Sequence, residues 1–334
     1  MSQDAAIART SVSARAGVDP AKQTWRLALA TAGAAVLAIA ALPWLSATYA
    51  TTLAVEIMIA GIFASGINLL LGSTGLVSLG QGMFLGLGGY GIGIGSSVLG
   101  LPLWLSVPST LLVVALLAAG IGAICTRTRG VEFLLITLAF SQMFYGAAIK
   151  LRLTNGSDGM SGIPRPDLGF LGLNSDSPTV FYYYVAAITV IVIVALRRIV
   201  ESPFGSVLTA IRENERRSIA MGYSVYRYKI GAFAIAAVTC AVAGILQAQY
   251  TYFINPDSMS WQLSGEGVLM VIIGGATAVP GPLIGAAVFV LVKQGLSIVT
   301  TEYMMFFGIF FMLVVAFFRG GVIGAVRSFA EARS

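Results

Sequence analysis

Four ionisable residues stand inside or beside long apolar runs of this chain: Glu56, Glu132, Glu266 and Lys293. A charged side chain in hydrocarbon costs roughly 2.5 to 3.5 kcal/mol, even on insertion-based scales. Such residues usually pair with one another, or they carry a proton or an ion in transport. We expect Lys293 to form a structural pair with Glu266 or Glu302, and Glu56 is the residue that an ion-coupled transporter would use.

Enzymatic chemistry has little support in the sequence. The chain contains no histidine, which excludes the usual zinc sites and Ser-His-Asp triads. Its lysines, Lys22, Lys150, Lys229 and Lys293, follow Ala, Ile, Tyr and Val, so the G-K-[ST] of a phosphate-binding loop is absent. No paired carboxylates or nucleophile–base pairs stand at catalytic spacing. We therefore predict no enzyme, no catalytic residue, no metal site and no cofactor of the chain's own.

The longest charged interval is the segment 202–229, SPFGSVLTAIRENERRSIAMGYSVYRYK. Its charges exclude it from hydrocarbon, so the segment must face water. Pro203 favours a helix start, Val207 to Met221 contains good helix formers, and Gly222 stands where a helix usually ends. We predict a short surface helix with charges around an apolar face. That face would consist of Leu208, Ile211 and Ile219.

The composition indicates that the chain is a polytopic membrane protein. Of the 334 residues, 57% are hydrophobic and only 10% are charged, which is too little polar surface for a soluble globule of that size. Apolar runs of spanning length predict an all-α transmembrane bundle of about ten spans. The runs are 27–45, 51–71, 82–100, 103–124, 131–149, 179–196, 230–250, 265–279, 280–298 and 302–318.

The placement of Lys and Arg predicts the orientation. With the N-terminus inside and the spans alternating, only Lys150, Arg152 and Arg165 of the 20 basic residues fall in an outside loop. This distribution follows the positive-inside rule and makes both termini cytoplasmic. We predict a disordered basic tail at 1–26, a transmembrane domain at 27–320 and a cytoplasmic tail at 321–334. The run 27–45 is expected to remain uncleaved, although the Thr48-Tyr49-Ala50 sequence loosely resembles a signal-peptidase site.

Two glycine-rich stretches interrupt the apolar pattern. The first, Gly72 to Gly100, has glycines at the spacing that lets membrane helices pack closely. Alternatively, the break at Gly72 to Gly75 is non-helical backbone that lines a polar cavity. A second break, at Gly274-Gly275 and Pro280-Gly281-Pro282, is similar. The candidate residues of a translocation pathway are Asn68, Gly72, Thr74, Gly75, Gln81, Gly274 and Gly275.

Four stretches, in family order, resemble the LivM-type permease subunits of branched-chain amino acid ABC importers. They are GINLLLGSTGLVSLGQG at 66–82, TNGSDGMSGIP at 154–164, AIRENERRSIAMGY at 210–223 and GGATAVPGPLIGA at 274–286. The resemblance extends from about Leu53 to Phe318. One departure is that Ala276 separates Gly274-Gly275 from Thr277, where the family has Gly-Thr.

The resemblance implies a subunit of the bacterial inner membrane that works by alternating access. Its partners would be a second related permease, two ATPase subunits that bind the ATP, a periplasmic binding protein and membrane lipid, with no nucleic acid. The polar loop 150–178 would then either receive the binding protein or serve as a passive connector.

The resemblance also assigns the segment 202–229 to the contact with the ATPases, as a coupling loop. A solvated loop without that role is the alternative. The substrates implied are branched-chain amino acids, with urea, short amides or aromatic acids as alternatives within the family. An ion-coupled secondary transporter is the alternative from a different class of protein. The residues assigned to coupling are Leu208, Ile211, Arg212, Glu213, Asn214, Glu215, Arg216 and Ile219.

Overall fold

The described part of the chain is mostly helical. The computed structural model describes residues 48–166, 177–276 and 281–299, together with residues 302, 305, 306, 308, 309 and 312. The predicted tails at 1–26 and 321–334 and the predicted span at 27–45 lie outside these residues. Most of the predicted span at 302–318 lies outside them as well.

The helices follow the apolar runs of the sequence. A π-helical turn, Ile94–Val98, continues the second helix, and a short antiparallel pair of strands joins two loops. The helices are α1 (Thr48–Thr74), α2 (Gln81–Gly93), α3 (Leu103–Cys125), α4 (Val131–Lys150), α5 (Pro178–Glu201), α6 (Pro203–Glu213), α7 (Glu215–Ala220), α8 (Val225–Thr251), α9 (Trp261–Gly274) and α10 (Gly281–Val299). The strands are β1 (Met160–Ser161) and β2 (Phe253–Ile254).

Six of these helices, α1, α3, α4, α5, α8 and α10, are long and apolar enough to cross a membrane. At the predicted span 82–100, α2 and its π-helical turn run from Gln81 to Val98, and at 265–279 helix α9 begins earlier than predicted and ends at Gly274. The 14 residues of α9 rise only about 21 Å, less than the ~30 Å of a bilayer core. The prediction of a polytopic helical protein is confirmed, whereas the count of ten spans stays a prediction.

Helices α1 and α8 form the centre of the bundle. In the most apolar stretch of α1, 67% of the residues are buried, and in that of α8 the share is 61%. The corresponding shares are 28% in α3 and 22% in α4. Helices α3 and α4 therefore lie at the periphery of the bundle, where most residues of these stretches are not buried.

Glycines bring α2 and α8 into close contact. A Cβ atom at Gly244 of α8 would overlap the carbonyl of Leu85, and one at Gly88 of α2 would overlap the carbonyl of Ala241. Small residues at a helix interface permit such an approach between membrane helices. The close-packing interpretation of the glycine-rich stretch is therefore correct for α2.

The break near Gly72 begins later than predicted. Helix α1 continues through Thr74, whose hydroxyl donates to the carbonyl oxygen of Leu70 at 2.7 Å. Gly75 follows with a φ of +73°, the left-handed conformation in which glycine commonly ends a helix. Gly72 and Thr74 are thus helical, and the non-helical backbone runs from Gly75 to Gly80.

The predicted surface helix is two helices, because Asn214 interrupts it. Its backbone is extended (φ −157°, ψ 99°), and its side-chain oxygen accepts a hydrogen bond from the backbone N–H of Arg217 at 3.0 Å. This capping bond starts α7 where a continuous helix was expected. The predicted start at Pro203 and the stop before Gly222 are both confirmed.

Candidate functional site

Two cavities lie near opposite ends of α1, and we name each by one of its residues. The Glu56 cavity is lined by Glu56, towards the start of α1. The Arg212 cavity is lined by Arg212 of α6 and by Gly72, near the end of α1. The rise of a helix separates Glu56 from Gly72 by about 24 Å along α1. Each cavity contains residues from both early and late parts of the sequence.

The Arg212 cavity has a volume of about 180 Å³. It brings together the end of α1, the end of α5, helix α6 and the residue that follows the Gly274-Gly275 break. Its lining residues are Ser65, Asn68, Leu69, Gly72, Ser73, Leu196, Val200, Thr209, Arg212 and Ala276.

Arg212 connects the charged surface segment to the end of α1. Its guanidinium donates a hydrogen bond to the carbonyl oxygen of Gly72. The last carbonyls of a helix lack partners within the helix and carry the negative end of its dipole, so a cation is favoured there. The sequence assigned Arg212 to coupling and Gly72 to the pathway, and the structure places the two in contact.

Asn68 gives the Arg212 cavity an unsatisfied polar group. Its side-chain oxygen is buried and has no hydrogen-bond partner among the described residues. A Cβ atom at Gly72 would lie 2.7 Å from this oxygen, so only glycine leaves it space. Two of the predicted pathway residues, Asn68 and Gly72, therefore line a common cavity.

The other pathway candidates lie near this cavity or in the core. Gly275 ends α9 with a φ of +97° and precedes Ala276, which lines the cavity. Gly274 packs tightly against Gly281 at the start of α10. Gln81 is fully buried between helices, where its side-chain oxygen accepts a weak hydrogen bond from the Cys240 thiol at 3.5 Å.

The predicted apolar face of the surface segment is mostly turned inward. Leu208 and Ile211 are 0% and 3% exposed, and Ile211 packs against Val225 at the start of α8. Only Ile219, which is 52% exposed, points to solvent. The prediction that all three form one apolar face is wrong, because α6 packs the first two against its own bundle while Ile219 lies on the exposed side of α7.

The charges of the surface segment fall into two groups. Glu215 forms ion pairs with Lys229 at 2.9 Å and with Arg129 at 3.2 Å, which tie α7 to α8 and to the loop before α4. The Lys229 side chain is only 3% exposed. Glu213 and Arg216 are exposed, so they remain accessible to a partner.

The Glu56 cavity has a volume of about 220 Å³ and lies between α1, α2, α8, α9 and α10. Lys293 of α10 contacts both carboxylate oxygens of Glu266 of α9, at 3.2 and 3.3 Å. Gln294 donates to one oxygen of Glu56 at 3.0 Å. The predicted pair of Lys293 with Glu266 is confirmed.

Sequence reasoning missed that Glu56 belongs to the same cavity as this pair. The three ionisable residues are far apart in the sequence, and nothing local joins them. A usable sign was their shared depth, since Glu56 and Glu266 lie near the starts of their predicted spans and Lys293 lies near the end of its span, all on the predicted outer side. That comparison requires the order of the spans to be known.

Loops near the Glu56 cavity are joined to α8. Strand β1 belongs to the predicted polar loop 150–178 and pairs with β2, which follows α8. The Arg165 guanidinium lies between the rings of Phe181 and Tyr252, 4.2 and 4.3 Å from their centroids. The described part of the loop is therefore attached to the bundle.

Known proteins resemble this chain over most of its length. The family described as "Branched-chain amino acid transport system / permease component" matches residues 49–316. The high-affinity branched-chain amino acid transport system permease protein LivM of Escherichia coli is 28% identical, over 84% of this chain and 69% of that protein. The protein of the same name from Salmonella typhimurium is 28% identical, over 84% of this chain and 70% of that protein. No solved structure matches the chain.

The family match extends from the start of α1 to beyond α10, so it includes both cavities and the surface helices α6 and α7. It thus covers every residue that the sequence assigned to coupling or to the pathway. The chain therefore belongs to the branched-chain amino acid transport system permease family, with the LivM-type character that its motifs indicate, and it is a transport permease rather than an enzyme.

Proposed function

We propose that the chain is the permease subunit of an ATP-driven importer of branched-chain amino acids or related small solutes. Separate ATPase subunits would drive its helices between states open to either side of the membrane. The observation that most supports this proposal is the hydrogen bond from Arg212 to Gly72. Through it, a charged surface helix touches the helix end that lines a cavity.

The proposed complex lies in the bacterial inner membrane. It contains a second, related permease, two ATPase subunits and a periplasmic binding protein, with lipid around the spans. ATP would bind to the ATPases, so this chain needs no cofactor of its own, and no nucleic acid takes part. The termini would be cytoplasmic, as the placement of Lys and Arg predicts.

Helix α7 and the turn after it form the surface that would meet the ATPase. Ile219 and Met221 are 52% and 56% exposed, and Tyr223 is 41% exposed. Exposed apolar side chains next to charges such as Arg216 are typical of a docking surface. Leu208 and Ile211 would contribute from inside, by holding α6 in the position from which Arg212 reaches α1.

Ile219→Asp tests this surface. The position is exposed, so the charge should leave the permease folded, whereas loss of a central interface anchor costs about 2 kcal/mol or more. We expect normal insertion but loss of ATPase co-purification and of ATP-driven uptake. Ile211→Asp is unsuitable, because it would bury a carboxylate inside this chain.

Arg217→Ala is the matched control for Ile219→Asp. Arg217 is exposed, and its removal should cost about 1 kcal/mol or less. Uptake and ATPase binding should remain near wild type. If Ile219→Asp binds the ATPase as well as this control does, the coupling surface lies elsewhere.

The substrate is tested with the complete complex in proteoliposomes, with the binding protein outside and ATP inside. We expect uptake of leucine, isoleucine and valine that requires ATP. Urea, short amides and aromatic acids serve as competing solutes. Uptake of one of them in place of amino acids would identify that solute as the substrate. Uptake that needs an ion gradient and no ATP would contradict the proposed energy source.

A further inference from the structure

The Glu56 cavity holds more charge than a structural ion pair requires. Lys293 and Glu266 balance each other, but Glu56 adds a second carboxylate to the lining. Among the described residues, its oxygen Oε2 accepts from the neutral amide of Gln294, and its oxygen Oε1 has no hydrogen-bond partner. The described side chains of the lining therefore include two carboxylates and one ammonium group. Ionisable groups at membrane depth are costly, and as a rule they mark binding sites or ion pathways.

Lys293 keeps capacity for a further acceptor. An ammonium group has three N–H donors, and the contacts to Glu266 occupy one face of it. The ring of Phe289, with its centroid 5.7 Å from Nζ, holds the amine from another side. A carboxylate that enters the cavity can therefore accept from Lys293 while Glu266 stays in place.

The remaining walls of the cavity are mostly apolar. Helix α8 contributes the polar residues Gln247, Tyr250 and Thr251, and the apolar side chains come from α1, α2, α9 and α10. They are Ile59, Ala60, Phe63, Leu85, Leu263, Met270, Phe289 and Val290. A volume of about 220 Å³ lies below the ~300 to 1,000 Å³ typical of drug-sized ligands, so the cavity suits a small solute.

We propose that the Glu56 cavity binds a zwitterionic α-amino acid with an aliphatic side chain. The ammonium group of the solute binds Glu56, its carboxylate binds Lys293, and its side chain lies against Phe63 and Met270. This inference rests on the proposed function and deepens it, because it places a substrate site in the permease itself. It also separates the substrate classes, since urea has no charge and an aromatic acid has no ammonium group.

Protection of a cysteine from labelling tests occupancy without depending on transport. Ala60→Cys places a thiol in the lining, and the two native cysteines are both 0% exposed, so they should stay unlabelled. The complete complex in membranes is treated with a small thiol reagent in the presence or absence of leucine. We expect leucine to slow the labelling. The amine that lacks the carboxylate and the acid that lacks the ammonium group should protect at least about ten-fold less well, since each loses one charged hydrogen bond.

Removal of either charge in the Ala60→Cys background should raise the leucine concentration needed for protection. We expect a rise of about ten-fold or more for Glu56→Gln and for Lys293→Met. Glu56→Asp retains the charge and should retain part of the protection. Glu201→Gln removes a carboxylate from the exposed end of α5. In this variant, the leucine concentration needed for protection should equal that of the unchanged Ala60→Cys background. Melting temperatures of all variants exclude unfolding as the cause.

The outcomes distinguish this inference from the proposed function. If leucine protects equally in Glu56→Gln and Lys293→Met, or if the single-charge analogues protect as well as leucine, the assignment of this cavity is overturned while ATP-driven leucine uptake stands. The absence of protection in a complex that takes up leucine overturns it as well. If the wild-type complex takes up no aliphatic amino acid at all, the proposed function fails and this inference fails with it.

Discussion

Arg212 is the residue through which the surface helices act on a membrane helix. Arg212→Ala removes the hydrogen bond to Gly72 and the cation at the end of α1. The side chain is exposed, so we expect little loss of folding, about 1 kcal/mol or less. ATP-driven uptake should nevertheless fall several-fold at equal permease abundance. The proteoliposome assay measures this, and uptake equal to that of Arg217→Ala would contradict a coupling role for the contact.

Glu215 is the residue whose loss should most destabilise the surface segment. Glu215→Gln leaves the Lys229 ammonium buried at 3% exposure without its carboxylate. Removal of one partner of a buried pair typically costs about 3 to 5 kcal/mol. We reduce this to about 2 or 3 kcal/mol, because Glu215 itself is 22% exposed. Thermal unfolding in detergent should show a clearly lowered melting temperature.

The double variant Glu215→Gln, Lys229→Met provides the control, because it removes both charges. Its stability should lie above that of Glu215→Gln alone, as expected for directly coupled residues. Arg129→Ala should cost about 1 kcal/mol or less, since the Arg129 side chain is 61% exposed. If the double variant is less stable than Glu215→Gln, the ion pair is not the cause of the loss.

At the scale of elements, the close contact between α2 and α8 leaves no space for a side chain at Gly244. Gly244→Ala places a methyl group against the backbone carbonyl of Leu85, which cannot move without shifting α2. We expect a loss of about 1 to 3 kcal/mol, the usual cost of overpacking, and little folded protein in the membrane. Gly120→Ala in α3 is the matched control, because nothing lies within 4 Å of the added atom. Equal yields of folded protein from the two variants would refute this close contact.

At the scale of the whole molecule, the orientation in the membrane is open to a direct test. Ser157→Cys and Ala220→Cys place thiols at two exposed positions, one in the loop 150–178 and one at the end of α7. A membrane-impermeant reagent added outside should label Ser157→Cys and should not label Ala220→Cys in intact cells. Ser218 lies in the same surface segment but is fully buried, so it makes a poor probe. The reverse labelling pattern would overturn the orientation.

Local patterns in the sequence predicted the elements better than their contacts. Apolar runs indicated most helices, and glycine spacing indicated that the stretch 72–100 packs closely against a neighbour, because each of these depends on nearby residues. The inward turn of Ile211, the meeting of Arg212 with Gly72 and the position of Glu56 beside Lys293 were not predicted. Each depends on which helices become neighbours, and periodicity within one segment carries no information about that.

Helix α8 makes the two sides of the bundle mechanically dependent on each other. Its 27 residues contain no proline and extend about 40 Å. One end carries Lys229 in the ion pair with Glu215, and the other continues through Tyr252 into β2. A regular helix resists compression and stretching, so we expect a displacement of β2 along the axis of α8 to reach the ion pair of Lys229 with Glu215.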